Sequence, residues 1–234
     1  MKKWINASTV ATIILIGGVA SAEDKDQAQE SSGRSSRLGA ATHSAELTIG
    51  TGYAQGFGKA GSGEPSLTDV GKAGGGVQAG VAYRLYPQLA LGVYGSWAIY
   101  GRGDQADPTG NEYSATAGVQ GDWHFLPAGY EFDPWVSLGS GWRGYWETAD
   151  RGTTAMHGWE IAKLQVGVDY RIVKAVAVSP VVGVDLTTFF TKSTPDTQAF
   201  HSISSPDVSA FLFAGVQGRF DIPVGPDTSQ VASR

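Results

Sequence analysis

From residue 45 onward the apolar residues recur with a period of two. Val77, Ala79, Val81, Tyr83 and Leu85 fall on one face of a segment whose other face carries Gln78, Gly80, Ala82 and Arg84. The next segment repeats this, with Leu89, Leu91, Val93, Trp97 and Ile99 set against Ala90, Gly92, Tyr94, Ser96 and Ala98. Strict alternation marks a strand with one apolar face, because successive side chains of a strand point to opposite sides. The pattern predicts eight strands, at 45–56, 75–86, 89–101, 112–125, 134–148, 158–171, 175–190 and 208–222. Most exceed the five or six residues usual in soluble sheets and suit a tilted membrane crossing.

The strands come in pairs. Gly80-Val81-Ala82-Tyr83-Arg84-Leu85 resembles Gly167-Val168-Asp169-Tyr170-Arg171-Ile172, and Gly118-Val119-Gln120-Gly121-Asp122 resembles Gly215-Val216-Gln217-Gly218-Arg219. These four stretches end the second, fourth, sixth and eighth strands, so the chain reads as four hairpin units. Links at 86–88, 126–133 and 172–174 are short or compact, whereas those at 56–74, 102–111, 149–157 and 191–207 are longer and polar. Short turns at one end and long loops at the other are the plan of an outer-membrane barrel, and eight strands put both termini on the short-turn, periplasmic side.

Alternation alone does not separate a membrane barrel from a soluble one. The less apolar face does. A lipocalin-like barrel places Lys, Glu and Thr outside and large apolar residues inside. Here the second face is rich in Gly, Ala and Ser and carries charges of both signs. The expected inward set is Glu46, Arg84, Asp122, His124, Arg143, Glu147, Lys163, Asp169, Arg171, Asp185, Arg219 and Asp221. Small residues fit a narrow interior, and opposite charges pair there into a polar plug. On the apolar face, Tyr83, Trp123, Phe125, Tyr170 and Phe220 lie near the short-turn ends, while Trp97, Tyr113, Trp142 and Trp146 lie toward the loop ends. Two aromatic belts separated by Val, Leu and Ala are what a bilayer selects. The fold expected is all-β: an eight-stranded antiparallel up-and-down transmembrane β-barrel over 45–222.

Composition sharpens this. The chain has 33 glycines, few charged residues, a net charge of −5 and no basic block, which argues against a helical protein, a disordered one and a nucleic-acid partner. Lys2 and Lys3, the apolar run at 10–19 and Ala20-Ser21-Ala22 form a secretory signal pattern over 1–22, with cleavage before Glu23. Residues 23–44 are small and polar, expected to be a flexible periplasmic tail, and 223–234 form a C-terminal tail. There is no Cys, so no lipid anchor at the signal, no disulfide and no thiolate chemistry is open to the chain.

The stretch GVAYRLYPQLALGVYGSW (residues 80–97) resembles the second hairpin of small eight-stranded outer-membrane proteins, the broad superfamily of OmpA-like, OmpW-like and opacity-type barrels. There a Gly-x-x-Tyr-Arg strand end, a Pro-containing turn and an Ala-Leu-Gly strand recur. The resemblance spans about 45–222. It implies a monomer in the outer membrane, with lipid, lipopolysaccharide and the barrel-assembly machinery as partners. Gly215 and Phe220 match the C-terminal assembly signal, while Gly218 stands where that signal has a hydrophobic residue.

Candidate chemistry is sparse. His43, His124, His157 and His201 share no metal-ligand spacing, so neither metal nor cofactor is expected. Some eight-stranded barrels modify lipid A with a His and a Ser near the outer leaflet; here His201-Ser202, Ser204 and Ser205 lie in the last loop with Asp196 and Asp207, a composition that a Ser-rich loop also explains. Arg102-Gly103-Asp104 opens the second loop; in an exposed turn this tripeptide can be read by adhesion receptors, while Gly-Asp is also plain turn chemistry, and 104–112 misses the calcium-loop pattern. Three functions follow as expectations: a non-enzymatic structural or surface-interaction barrel, preferred because paired charges occlude the lumen; a narrow pore or lateral path for small solutes, as in the OmpW-like group; and a lipid A-modifying enzyme.

Overall fold

Alternation becomes geometry in the computed structural model, which describes residues 43–126, 131–196 and 199–224. The expected signal segment, nearly all of the N-terminal tail and all but the first two residues of the C-terminal tail lie outside the described residues. Eight long strands form the wall: β1 (Ser44–Phe57), β2 (Gly71–Tyr86), β3 (Leu89–Arg102), β4 (Asn111–His124), β5 (Phe132–Ala149), β6 (Gly152–Val173), β7 (Val176–Ser193) and β9 (Val208–Pro223). A two-residue strand, β8 (His201–Ser202), lies on β7 in the last loop, and a four-residue helix, α1 (Leu67–Val70), lies in the first.

Every wall strand pairs antiparallel with its neighbours in the chain, and β1 pairs with β9, so no edge remains open. Following the register round the wall from Glu46 leads through Ala82, Gly92, Gln120, Gly139, Lys163, Asp185 and Phe211 back to β1 at Gly56, a stagger of ten residues. Such a stagger over eight strands tilts them by about 40° and leaves an interior just wide enough for side chains.

Each wall strand sends an apolar residue outward near its middle: Ile49, Val81, Val93, Val119, Leu138, Val166, Val182 and Val216 are all exposed. Their partners in the opposite phase, such as Ser137 and Gln165, are buried. Large inward rings need room on facing strands. A Cβ on Gly118 would sit 2.7 Å from the Tyr94 hydroxyl, and one on Gly139 would sit 3.2 Å from the Tyr94 ring. Glycine at those two positions is what lets Tyr94 lie across the lumen.

Two expectations need correction. The link at 149–157 is not a loop. β5 and β6 run on through it, pair as far as Ala149↔Gly152, and turn over Asp150 and Arg151 with Gly152 at φ +126°. Polar Thr residues hid this, yet Thr favours strands and pairs across them; the Thr148 and Thr153 hydroxyls lie 3.2 Å apart. The second correction is a β-bulge in β6. Gly139 pairs with Lys163 but Gly141 pairs with Glu160, so an extra residue enters between 160 and 163 and the inward phase switches from odd to even numbers.

Candidate functional site

The lumen carries the polar chemistry of the described residues, in three levels from the turn end to the loop end. At the turn end, Glu46 is held between two guanidiniums, accepting from Arg84 Nε at 2.5 Å and Arg219 Nη1 at 2.6 Å. Arg219 Nε also lies 2.9 Å from Asp169, whose other oxygen accepts from Trp135 Nε1 at 2.8 Å and from the Ser179 hydroxyl. Arg171 pairs with Asp221 at 2.5 Å and donates to the Lys174 carbonyl, while Arg84 donates to the Pro87 carbonyl at 2.8 Å. Two arginines thus staple the short turns to the wall.

His124 has its tautomer fixed by this setting. Arg84 Nη2 lies 3.2 Å from its Nε2, and a guanidinium has only donors, so Nε2 accepts. The Nδ1 proton then goes to Asp133 at 2.8 Å. His124, Asp133 and Asp169 bring one ligand atom each within 4.8 Å of one another. Arg84 and Arg219 stand in direct contact with the group and supply the positive charge, which disfavours a metal ion among these three.

At the middle level an amide chain crosses the lumen: Gln165 Nε2 donates to Gln78 at 2.8 Å, and Gln78 Nε2 donates to Gln217 at 3.0 Å. Beside it, Arg143 binds Glu160 at 2.8 Å, Asp185 at 2.5 Å and the Thr187 hydroxyl at 3.1 Å. The Tyr94 hydroxyl donates to Glu160, and Lys163 Nζ sits 3.6 Å over the Tyr94 ring. A cavity of about 30 Å³ remains, bordered by Gln78, Arg143, Lys163 and Asp185, with room for water.

The loop end carries an apolar cluster. Arg143 lies 4.0 Å below the Phe211 ring, and above it Tyr100, Tyr145, Met156, Phe189 and Phe211 pack together. Leu67 and Ala60 of the first loop and Ile203 of the last fold in upon them. The two loops are tied by the Gly61↔Pro206 bridge and by the Ser62 N–H donating to the Ser205 carbonyl.

Of the inward set, Glu46, Arg84, Asp122, His124, Arg143, Lys163, Asp169, Arg171, Arg219 and Asp221 are buried in the lumen, and Asp185 is largely so. Glu147 does not join Arg143. It sits at the mouth and accepts the Asp107 N–H at 3.1 Å, because it lies two inward steps beyond Arg143 toward the loops. Sequence reasoning missed Glu160, which the bulge turns inward, and Asp133, which precedes the expected strand start. It also missed the uncharged Gln78, Gln165 and Gln217, whose phase alone could have flagged them. Outside, Trp97, Tyr113 and Trp146 stack with centroids 5.1–6.3 Å apart, and Trp142 stacks on His157 at 5.5 Å. At the turn end Tyr83, Trp123, Phe125 and Tyr170 are exposed, Phe220 is half-buried, and Phe132 lies against Tyr170.

The loop motifs are absorbed by structure. His201 and Ser202 are consecutive strand residues paired with Lys192 and Thr191, so their side chains leave opposite faces of that strand. In Arg102-Gly103-Asp104, Arg102 donates to the Gly110 carbonyl, the Gly103 N–H to the Val70 carbonyl, and Asp104 pairs with Lys72 at 2.5 Å.

No family model matches the chain, and no curated protein matches it. Solved structures do. Neisserial surface protein A superposes with a TM-score of 0.50 at 12% identity, over 75% of this chain and 96% of that one. AlkL, an outer membrane protein solved in lipid bilayers, gives 0.48 at 11% over 87% and 99%, and Ail of Yersinia pestis 0.43 at 12% over 76% and 99%. At these identities the likeness is one of fold. The chain has the fold of the small eight-stranded outer-membrane barrels.

Proposed function

We propose that the protein is a monomeric, non-enzymatic outer-membrane barrel with a closed lumen, acting as a structural or surface-interaction element through its loop end. Lipid and lipopolysaccharide contact its outer face, the barrel-assembly machinery inserts it, and the termini lie in the periplasm. The observation that carries this reading is the contrast of faces. Ten of the charged residues on the wall are buried inside in ion pairs and hydrogen bonds, while every wall strand exposes an apolar residue on the outside. Soluble sheets solvate the outer face; a closed wall that is apolar outside and ionic inside fits a hydrocarbon surround. Belts of Trp and Tyr at both ends fit its two interfaces.

Closure follows from packing. The lumen is crossed by Tyr94, the three glutamines and the Arg143 cluster, and is roofed by Phe211, Phe189 and Leu67. An ion passing through would have to displace buried pairs, each costly to break. The refolded protein in a planar bilayer is therefore expected to show no steady conductance, and in gels it should migrate differently before and after boiling. Steady, large conductance unchanged by alanine at Arg143 or Lys163 would overturn the closed lumen and favour a narrow pore. Recovery as a soluble monomer from the periplasm would overturn the membrane placement.

A further inference from the structure

Among the buried carboxylates of the described residues, Glu112 at the mouth has no partner on either oxygen, whereas the deeper Asp133, Asp169 and Asp221 each keep one on at least one oxygen. Glu112 and Glu147 stand directly opposite each other on β4 and β5. Directly opposed residues share a face with Cβ atoms about 5 Å apart, and like charges placed so repel. Glu112 is only 1% exposed, yet neither of its carboxylate oxygens has a hydrogen-bond partner. Tyr145, two residues from Glu147 on the same face, is 3% exposed, and its hydroxyl is likewise without a partner. The two orphaned groups face one spot: a Cβ built on Gly71 would lie 2.6 Å from Tyr145 Oη and 3.6 Å from Glu112 Oε2. Among the described residues Glu147 accepts only the Asp107 N–H, at 3.1 Å. Among the described residues no salt bridge reaches either carboxylate. Arg102 is turned to the Gly110 carbonyl, and Arg151 lies by Asp107 at 3.6 Å.

A buried carboxylate with no donor, opposite a second carboxylate and beside an unpaired phenol, lacks a positive charge rather than a hydrogen bond alone. We propose that Glu112, Glu147 and the Tyr145 hydroxyl form the protein side of a divalent-cation site of the calcium type, under the second loop at the barrel mouth. All three donors are oxygens, which suits a hard cation. They come from two strands in an irregular set, which suits calcium, with its variable coordination, better than magnesium, which demands a near-ideal octahedron. One Ca²⁺ neutralises the opposed pair and satisfies the orphaned atoms together. Bound there, it ties β4 to β5 where the second loop leaves the wall.

The site goes beyond the membrane reading and does not depend on it, so it is tested on the full chain folded in detergent. After stripping with EDTA, the protein is titrated with Ca²⁺ by calorimetry and melted with and without the ion. The expected result is one saturable ion per chain and a higher melting midpoint. E112Q and E147Q should each weaken binding by about tenfold or more, since charge count sets affinity at such sites. E131Q, on an exposed residue of the turn end, should bind as the wild type does. If E112Q does not fold, E147Q and Y145F carry the comparison, because Glu147 is only partly buried. Absence of saturable uptake overturns the proposal, and so does wild-type uptake by both E112Q and E147Q. A proton shared by the two carboxylates would show as E112Q raising the melting midpoint equally with and without Ca²⁺, and that result too overturns it.

Discussion

The two ends of the lumen are closed by different physics. At the turn end, charges on rigid strands interlock: Glu46 lies between Arg84 and Arg219, Asp169 beside Arg219, and Asp221 beside Arg171. Such a set works only if register holds every partner in place, because a charge buried alone is expensive. At the loop end the seal is a cluster of rings and aliphatic side chains, part of it delivered by Leu67, Ala60 and Ile203 from the loops. Apolar contact is non-directional, so segments without strand register can make it. The turn end therefore specifies the barrel, and the loop end is a roof added to a barrel already closed.

The sharpest way to break that comparison is to remove one partner from each end. Arg219→Ala strands Glu46 and Asp169 together, with only Arg84 left on Glu46. Breaking a buried pair from one side costs about 3–5 kcal/mol. The expected outcome is a large fall in the urea midpoint of the whole barrel, read by tryptophan fluorescence in detergent. Leu67→Ala removes a side chain that is 3% exposed from the roof. Its cost belongs at the low end of the about 2–5 kcal/mol seen for buried leucines, and it should be local. Amide exchange should quicken across residues 58–70 while the urea midpoint of the strands stays near wild type. Equal loss of global stability in the two variants would show that roof and barrel are one cooperative unit.

The same difference decides what could be read from the sequence. In the lower lumen the strands alternate up to their turns, the register shifting only past Arg84 and Arg171, so Glu46, Arg84, Asp169, Arg171, Arg219 and Asp221 declare their side by position alone, and the eight strands with them. Legibility fails where alternation is interrupted. The bulge at 160–163 turns Glu160 inward against the phase set by Lys163 and Asp169. The partners of Arg143 were out of reach for the same reason, since Glu160 and Asp185 meet it through a stagger of ten residues that no local pattern encodes. The first loop reads as polar, and its two buried apolar residues, Ala60 and Leu67, are spaced to fit the mouth and not a strand or helix period. The thirteen or so residues of such a loop carry tertiary information only, and tertiary contacts are what a single sequence withholds.

The smallest effect expected lies on the second loop and bears on the roof alone. Asp107-Pro108-Thr109-Gly110 is a turn in which the Gly110 N–H donates to the Asp107 carbonyl at 2.8 Å. The Asp107 carboxylate closes it a second time, accepting the Thr109 N–H at 2.9 Å and the Thr109 hydroxyl at 2.8 Å. Those two bonds, the backbone one first, hold the Asp107 carboxyl below its ordinary range, with the Arg151 guanidinium at 3.6 Å adding to them. A carboxyl depressed in the folded chain stabilises it above the unfolded value of about 4, and that support is lost as the pH falls from there through the folded value. Between about pH 6 and about pH 3 the Thr109 and Gly110 amides should therefore lose protection while those of β1 and β9 keep theirs. Asp107→Asn retains an acceptor for the Thr109 N–H but has nothing to titrate, so its turn should be looser at neutral pH and indifferent to acid. An unchanged pH response in that variant would assign the effect to another group. Loss of strand protection in step with the loop would mean that acid reaches the wall as readily as the roof, against the separation drawn between the two ends.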